Sequence, residues 1–229
     1  MNTPPGKIVI LGGTGFVGTA LREALPGSLL LRSRSRGPGG YDVASGWMDA
    51  ETLRGADVVI NLAGSPIAVR WTASARAQIR ESRAGTTSLL VKTLRDAGIT
   101  PRVVVSMSGA NRYAADADAL IDESSPLNDN SFLGGICRDW ESPLEALPQG
   151  TRVTILRTGV VIGPGGAMAK LAPLFRLGLG GPLGHGQQWM PWIHRGDLIR
   201  LILFCLAENG PRGVLNATNP LPVTNREFT

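Results

Sequence analysis

Lys7-Ile8-Val9-Ile10-Leu11-Gly12-Gly13-Thr14-Gly15-Phe16-Val17-Gly18 is the stretch whose reading decides the fold. Ile8 to Leu11 is an apolar run of the kind that forms a strand buried on both faces. Gly12, Gly15 and Gly18, each three residues from the next, mark the turn from that strand into a helix. Gly12 permits the tight turn, Gly15 lets backbone approach a pyrophosphate, and Gly18 allows close helix–strand packing. The helix N-terminus adds positive partial charge, so Gly12, Thr14, Gly15, Phe16 and Val17 form a candidate phosphate cradle. A glycine turn selected for packing alone is the alternative; its place between a first strand and a first helix favours the nucleotide.

Outward from this loop, short apolar runs recur at Ser28 to Arg32, Val58 to Leu62, Val103 to Ser106 and Val153 to Leu156, with helical stretches between them. That alternation predicts an α/β fold, a Rossmann-type doubly wound parallel sheet. The first helix is expected from Gly15 to Leu25, closed by Pro26-Gly27, and one long helix from Thr72 to Ala97, ended by Gly98. Phe132, Ile136, Trp140, Leu144 and Leu147 fall at helical spacing and predict a crossover helix with one buried stripe. Pro143 removes the amide that would bond to Asp139, so a kink or early end is expected there.

From Gly159 onward the texture turns glycine- and proline-rich. The domain reading is a dinucleotide-binding domain over 1–163 and a small substrate-side lobe over 164–229, with Asp197 capping an apolar helix. Thr224 and Glu227 have capping-box spacing, and the chain stops two residues after Glu227. The expectation is a helix cut at its first turn and a missing C-terminal part.

Composition narrows the classes. With 43% hydrophobic and 18% charged residues in 229, the chain can bury a core and is not a disordered sequence. Its apolar run from Leu198 to Ala207 is interrupted by Arg200 and falls short of the about 20 residues a membrane span needs. The first residues have neither a basic region nor an apolar one, which reads as cytoplasmic. Cys137 and Cys205 stand in helical stretches without metal-ligand spacing, so neither a disulfide framework nor a metal is expected. The net charge of +5 is scattered, with only Arg32, Arg34 and Arg36 close together, which argues against a nucleic-acid partner.

At the end of the second strand, about 20 residues past the glycine loop, an NAD site would carry an acidic residue for the ribose hydroxyls. Arg32-Ser33-Arg34 stands there instead. A guanidinium and a hydroxyl suit a 2′-phosphate, so NADP is favoured over NAD; a solvated basic loop is the alternative.

The glycine loop, Asn61-Leu62-Ala63-Gly64 and Arg157-Thr158-Gly159-Val160-Val161-Ile162-Gly163-Pro164 together resemble the extended short-chain dehydrogenase/reductases of the NAD-dependent epimerase/dehydratase superfamily. Arg70-Trp71, Ser82-Arg83, the stretch from Phe175 to His194 and the stretch from Asn216 to Thr229 are similar to an atypical branch, the epimerase family proteins of the sugar nucleotide epimerase type. The resemblance implies cofactor contacts at the glycine loop, Ser33, Arg34, Leu62, Ala63, Gln78, Arg83 and Val161. Small residues at Ala63 and Gly64 would also let a ribose lie close to the strand end. For Arg83 the alternative is a helix-surface cation, paired with Glu81 or solvated. The resemblance further implies a small-molecule substrate of the sugar nucleotide class and a homodimer.

Enzymes of that superfamily use a Ser or Thr and a Tyr whose phenol is acidified by a Lys four residues later. Here Tyr41 is followed at that spacing by Ser45 and Tyr113 by Ala117, and the lysines are Lys7, Lys92 and Lys170. At the matching helix, counted back from Glu141, the two places hold Leu133 and Cys137. Ser108 past the fifth strand and Tyr113 five residues on are the remaining candidates for proton chemistry, with Arg112 a departure from the tyrosine pair of related branches. Cys137, His185 and His194 read more simply as structural or loop residues. Two functions stay open: an NADP-dependent epimerase or oxidoreductase without the dyad, and a non-catalytic NADP(H)-sensing module.

Overall fold

The computed structural model describes residues 6–114, 120–178, 180–182 and 184–229. In chain order the first half contains β1 (Lys7–Leu11), α1 (Phe16–Ala24), β2 (Leu29–Ser33), β3 (Gly40–Asp42), β4 (Trp47–Met48), α2 (Ala50–Leu53), β5 (Ala56–Asn61), α3 (Ala73–Arg80) and α4 (Thr86–Asp96). The second half contains β6 (Val103–Gly109), α5 (Phe132–Glu141), β7 (Arg152–Thr158), β8 (Val160–Ile162), α6 (Gly166–Arg176), β9 (Trp189–Met190), β10 (Trp192–His194), α7 (Arg195–Leu206), β11 (Gly213–Ala217), β12 (Val223–Thr224) and α8 (Asn225–Phe228).

Eight strands form one sheet in the order β11-β7-β6-β5-β1-β2-β3-β4, parallel throughout except for β4 at the edge. Chain order reverses between β1 and β5, so the crevice beyond their carboxyl ends is the switch point where doubly wound sheets bind ligands. Strands rich in Val and Ile bury both faces here because helices cover both. Val9, Leu11, Val59 and Val104 pack under α2 and α4, while Ile8, Ile10, Val58, Ile60, Val103 and Val105 pack under α1 and α7. The expected Rossmann-type fold is the one observed.

The first helix begins at Phe16 with Gly15 as its N-cap and ends with Leu25 as its C-cap. The long helix from Thr72 is present, capped by the Thr72 hydroxyl, but it is divided: a π-helical turn over Glu81–Gly85 joins α3 to α4. α5 ends at Glu141, and Pro143 stands in the 3-10 turn Ser142–Ala146 that follows.

Two expectations are corrected. The small lobe expected to pack on the sheet after 163 instead contributes to the sheet itself: β11 pairs with β7, and Leu198, Ile199 and Ile202 of α7 belong to the same core as Ile10 and Val105. Among the described residues only the small pairs β8–β10 and β9–β12 lie outside the main sheet. Asp197 is not the cap of α7 either. His194 is, its Nδ1 accepting the Gly196 N–H at 3.1 Å, while Asp197 sits in the first turn paired with Arg200. A histidine acceptor lacks the sequence signature of the usual Ser, Thr, Asp or Asn cap.

At the chain's end Thr224 and Glu227 do form a capping box on α8. Among the described residues no helix is long and apolar enough to cross a membrane.

Candidate functional site

The glycine loop follows β1 into the crevice. Gly12 has φ +76, and a Cβ there would come within 2.6 Å of the Leu62 carbonyl oxygen, so the two strand ends approach through a position only glycine fills. The turn is closed by the Gly15 N–H donating to the Gly12 carbonyl at 3.0 Å. α1 then starts with no side-chain cap and no acidic residue in its first turn. Its leading amides and their partial positive charge are left to an anion, with Thr14 and Gly15 exposed beside them. This cradle fits a phosphate.

At the end of β2, Arg34 adopts φ +58, the one described non-glycine residue with positive φ. That conformation is uncommon for a side chain of this size and marks a sharp departure from the strand. Arg34 is exposed and, unlike Arg36, which pairs with Asp42, forms no ion pair among the described residues. Ser33 beside it hydrogen-bonds the buried Tyr41 phenol, whose pKa is pushed up by burial against that bond and a second one to Thr86.

After β5, Leu62 is half-buried, Ala63 buried and Gly64 exposed. Asn61 fixes this strand end: its side chain donates to Thr87 Oγ1 at 2.8 Å and accepts the Ala63 N–H at 3.2 Å. Arg83 reaches the same place from the π-helical turn, donating to the Ser65 carbonyl at 2.9 Å and lying 5.3 Å from the Trp140 ring centre. A Cβ on Gly64 would meet its guanidinium at 3.1 Å. Arg83 therefore lies over the 63–65 segment rather than pairing with Glu81, and burial lowers its pKa. Gln78 is exposed on α3, and its carbonyl accepts the Ser65 hydroxyl at 3.5 Å. Val161 sits half-buried on β8, opposite Ile193 of β10. The glycine loop, Ser33–Arg34 and Leu62–Gly64 with Arg83 thus stand at the carboxyl ends of three adjacent parallel strands.

The candidates for proton chemistry lie elsewhere, inside a buried polar row. Ser108, Arg157 and Asn216 stand in register across β6, β7 and β11. The Ser108 hydroxyl donates to Glu141 Oε1 at 2.5 Å, and Arg157 donates to both oxygens of Glu141. The Tyr113 hydroxyl donates to Asn216 Oδ1 at 2.6 Å, with the Arg157 guanidinium 4.8 Å from its ring centre. Arg112 is buried too, paired with Asp129 and 3.6 Å from Glu141. Both hydroxyls are committed to partners and nearly closed to solvent, at 4% and 7% exposure.

Cys137 faces the end of β6, its sulfur 3.1 Å from where a Gly109 Cβ would stand. Burial pushes its thiol up, with the Gly109 backbone and the Ser108 hydroxyl opposing it, which disfavours a thiolate at neutral pH. His185 is an exposed loop residue whose Nδ1 accepts the Gln187 N–H. Nothing in the residue types of Glu141, Arg157 and Asn216 marks them as partners of Ser108 and Tyr113. Strand alternation was the available signal, since 106/108, 153/155/157 and 214/216 each share one face.

Comparison with known proteins agrees with this fold. The sequence profile of the NAD dependent epimerase/dehydratase family matches residues 8–217. The human epimerase family protein SDR39U1 is 38% identical over 97% of this chain and 78% of its own length. A crystal structure of human SDR39U1 (isoform 2) with NADPH superposes with TM-score 0.84 at 37% identity, covering 97% of this chain and 77% of that one. A nucleoside-diphosphate sugar epimerase from Corynebacterium glutamicum superposes with TM-score 0.80 at 30% identity, covering 98% of this chain and 49% of that one. By profile, sequence and structure alike, the chain belongs to the NAD-dependent epimerase/dehydratase family.

Proposed function

We propose that this chain binds NADP(H) in the crevice at the β1/β5 switch point and acts as an atypical short-chain dehydrogenase/reductase on a small-molecule substrate of the sugar nucleotide class. The observation that carries the reading is Arg34: an exposed guanidinium at the end of β2, without an ion pair among the described residues, where an NAD site would carry a carboxylate. The solved human relative named with NADPH supports the same preference. When bound, the nicotinamide supplies or accepts hydride. The chain's own part is to seat the pyrophosphate on the α1 amides, to meet the 2′-phosphate with Ser33 and Arg34, and to lay the ribose along Leu62, Ala63 and Gly64. Gln78, Arg83 and Val161 are proposed as further cofactor contacts. A homodimer and a cytoplasmic setting are part of the same proposal, the first from the superfamily and the second from sequence.

A second reading is favoured by a specific arrangement. Ser108 and Tyr113 are held by Glu141 and Asn216, and the resemblance puts Leu133 and Cys137 in the places of the dyad. A site built this way suits a module that senses NADP(H) without turning a substrate over.

Calorimetric titration with NADPH and NADH, repeated on Arg34→Asp, tests the shared core of both readings. NADPH binding tighter than NADH, weakened about tenfold or more by Arg34→Asp, supports the phosphate site. Equal affinities, or none, overturn it. Hydride transfer across a panel of carbonyl compounds and sugar nucleotides then separates enzyme from sensor.

A further inference from the structure

Arg195 opens α7, directly after β10, and its guanidinium carbon lies 4.7 Å from the centre of the Phe16 ring. Phe16 is the first residue of α1, so a cation is stacked on the side chain that follows the glycine loop. The turn after β8 closes around the same pair. A Cβ at Gly166, whose φ is +56, would come to 2.8 Å from the Phe16 ring, and one at Gly163 to 3.2 Å from Arg195 Cβ. Backbone on one side and the ring on the other hold the arginine in place.

A guanidinium stacked on a ring keeps its in-plane N–H donors available for an anion. Among the described residues the Arg195 side chain forms no hydrogen bond or ion pair, and the nearby Asp197 is already paired with Arg200. An unpaired cation has thus been brought beside a helix start that carries no cap and no acidic residue. Two positive potentials placed together repel each other unless an anion lies between them. A planar guanidinium fork matches two oxygens of a phosphate, which a lysine could not do.

We infer that Arg195, braced on Phe16, is a diphosphate-binding residue that closes over the anion received by the α1 amides. The inference rests on the nucleotide reading of the glycine loop. A dinucleotide cofactor and a nucleoside-diphosphate substrate both carry this group, and the experiment tells them apart.

Native protein, Arg195→Gln, Arg195→Lys and Arg195→Met are titrated calorimetrically with NADPH, NADH, UDP and inorganic pyrophosphate, each variant's fold being checked by its thermal melt. Arg195→Gln is expected to weaken the ligand held here, and pyrophosphate with it, by about tenfold. Arg195→Lys should keep part of the affinity. Arg195→Met offers the ring an unbranched apolar side chain in place of the guanidinium and should lose as much as Arg195→Gln, which covers the case in which glutamine unsettles the turn. NADPH and NADH weakened alike, with their ratio unchanged, assign the cofactor's diphosphate, and this distinguishes Arg195 from Arg34. Loss confined to UDP and pyrophosphate assigns the substrate's diphosphate. Unchanged affinity of folded Arg195→Gln and Arg195→Met for all four ligands overturns the inference while the nucleotide reading stands. Native protein that binds pyrophosphate but no dinucleotide overturns that reading and keeps the arginine site, whereas binding of none overturns both.

Discussion

Arg157 on β7 directs Nε and Nη2 to the two oxygens of Glu141 on α5, at 3.0 and 2.8 Å, with only 5% and 11% of the two side chains exposed. Burial alone would lower the arginine's pKa; its hydrogen bonds to Glu141 and Tyr113 outweigh it and hold the guanidinium above its ordinary range. The pair ties the last turn of α5 to the sheet, and through Glu141 it also sets the Ser108 hydroxyl.

Removing one partner leaves the other charge buried without compensation. Glu141→Leu is expected to cost about 3–5 kcal/mol in urea unfolding. Adding Arg157→Met to it should restore a large part of that loss, because an apolar pair no longer strands a charge. A double variant as unstable as the single one would show that the bidentate geometry itself, rather than charge burial, holds α5 down.

Ser108→Ala and Tyr113→Phe address chemistry. If these hydroxyls are structural, each variant loses about 1 kcal/mol of stability and keeps its NADPH affinity. Turnover, once a substrate is found, is the discriminating readout. A Tyr113→Phe protein with native rates removes Tyr113 from the reaction, and a rate reduced by about a hundredfold or more reinstates it as a proton donor.

What the chain spells out locally is what could be read without coordinates. Ile8 to Leu11, Val58 to Ile60 and Val103 to Val105 are buried on both faces, and each is legible as a strand because no polar residue interrupts it. The glycine loop is equally explicit, since Gly12 and Gly18 are demanded by close backbone approach to Leu62 and to Gly12 itself. Pairings across long sequence separations leave no such trace. Nothing near Tyr113 announces Asn216, 103 residues away, and nothing near Phe16 announces Arg195. The return of β11 to the main sheet was hidden for the same reason: a five-residue strand in a glycine-rich stretch reads as loop until β7 is known to lack a neighbour.

Two glycines with left-handed backbone make a controlled comparison for the cradle. Gly12 has φ +76 with the Leu62 carbonyl in the way, whereas Gly98 has φ +63 and open space around it. Gly98→Ala should cost about 1 kcal/mol through backbone strain and leave nucleotide binding intact. Gly12→Ala carries the same strain and must also push Leu62 away from β1, so NADPH binding should be lost together with stability. Calorimetry and thermal melts on the two variants check this. Equal effects on binding would mean that the loop tolerates displacement and that the close approach is not what shapes the site.

Cys205 offers a pH dependence whose sign can be fixed in advance. Its thiol is fully buried on α7 against the sheet, and burial pushes its pKa from an ordinary value of 9.0 up to about 11, with Arg152 pulling weakly the other way. In the unfolded chain the thiol ionises near its ordinary value, so between about 9 and about 11 the folded state holds a proton that the unfolded state has released. Stability from this group is fully present below pH 9 and declines as pH rises toward 11, because unfolding then gains an ionisation that the core forbids. Other groups titrate in the same window, so the quantity to measure is the difference between native protein and Cys205→Ala. Urea unfolding free energies of the two should run parallel from pH 7 to about 8.5 and converge above that, the native protein losing its excess. Parallel lines up to pH 11 would mean that Cys205 ionises in place despite the packing of α7 against Ile10 and Val105.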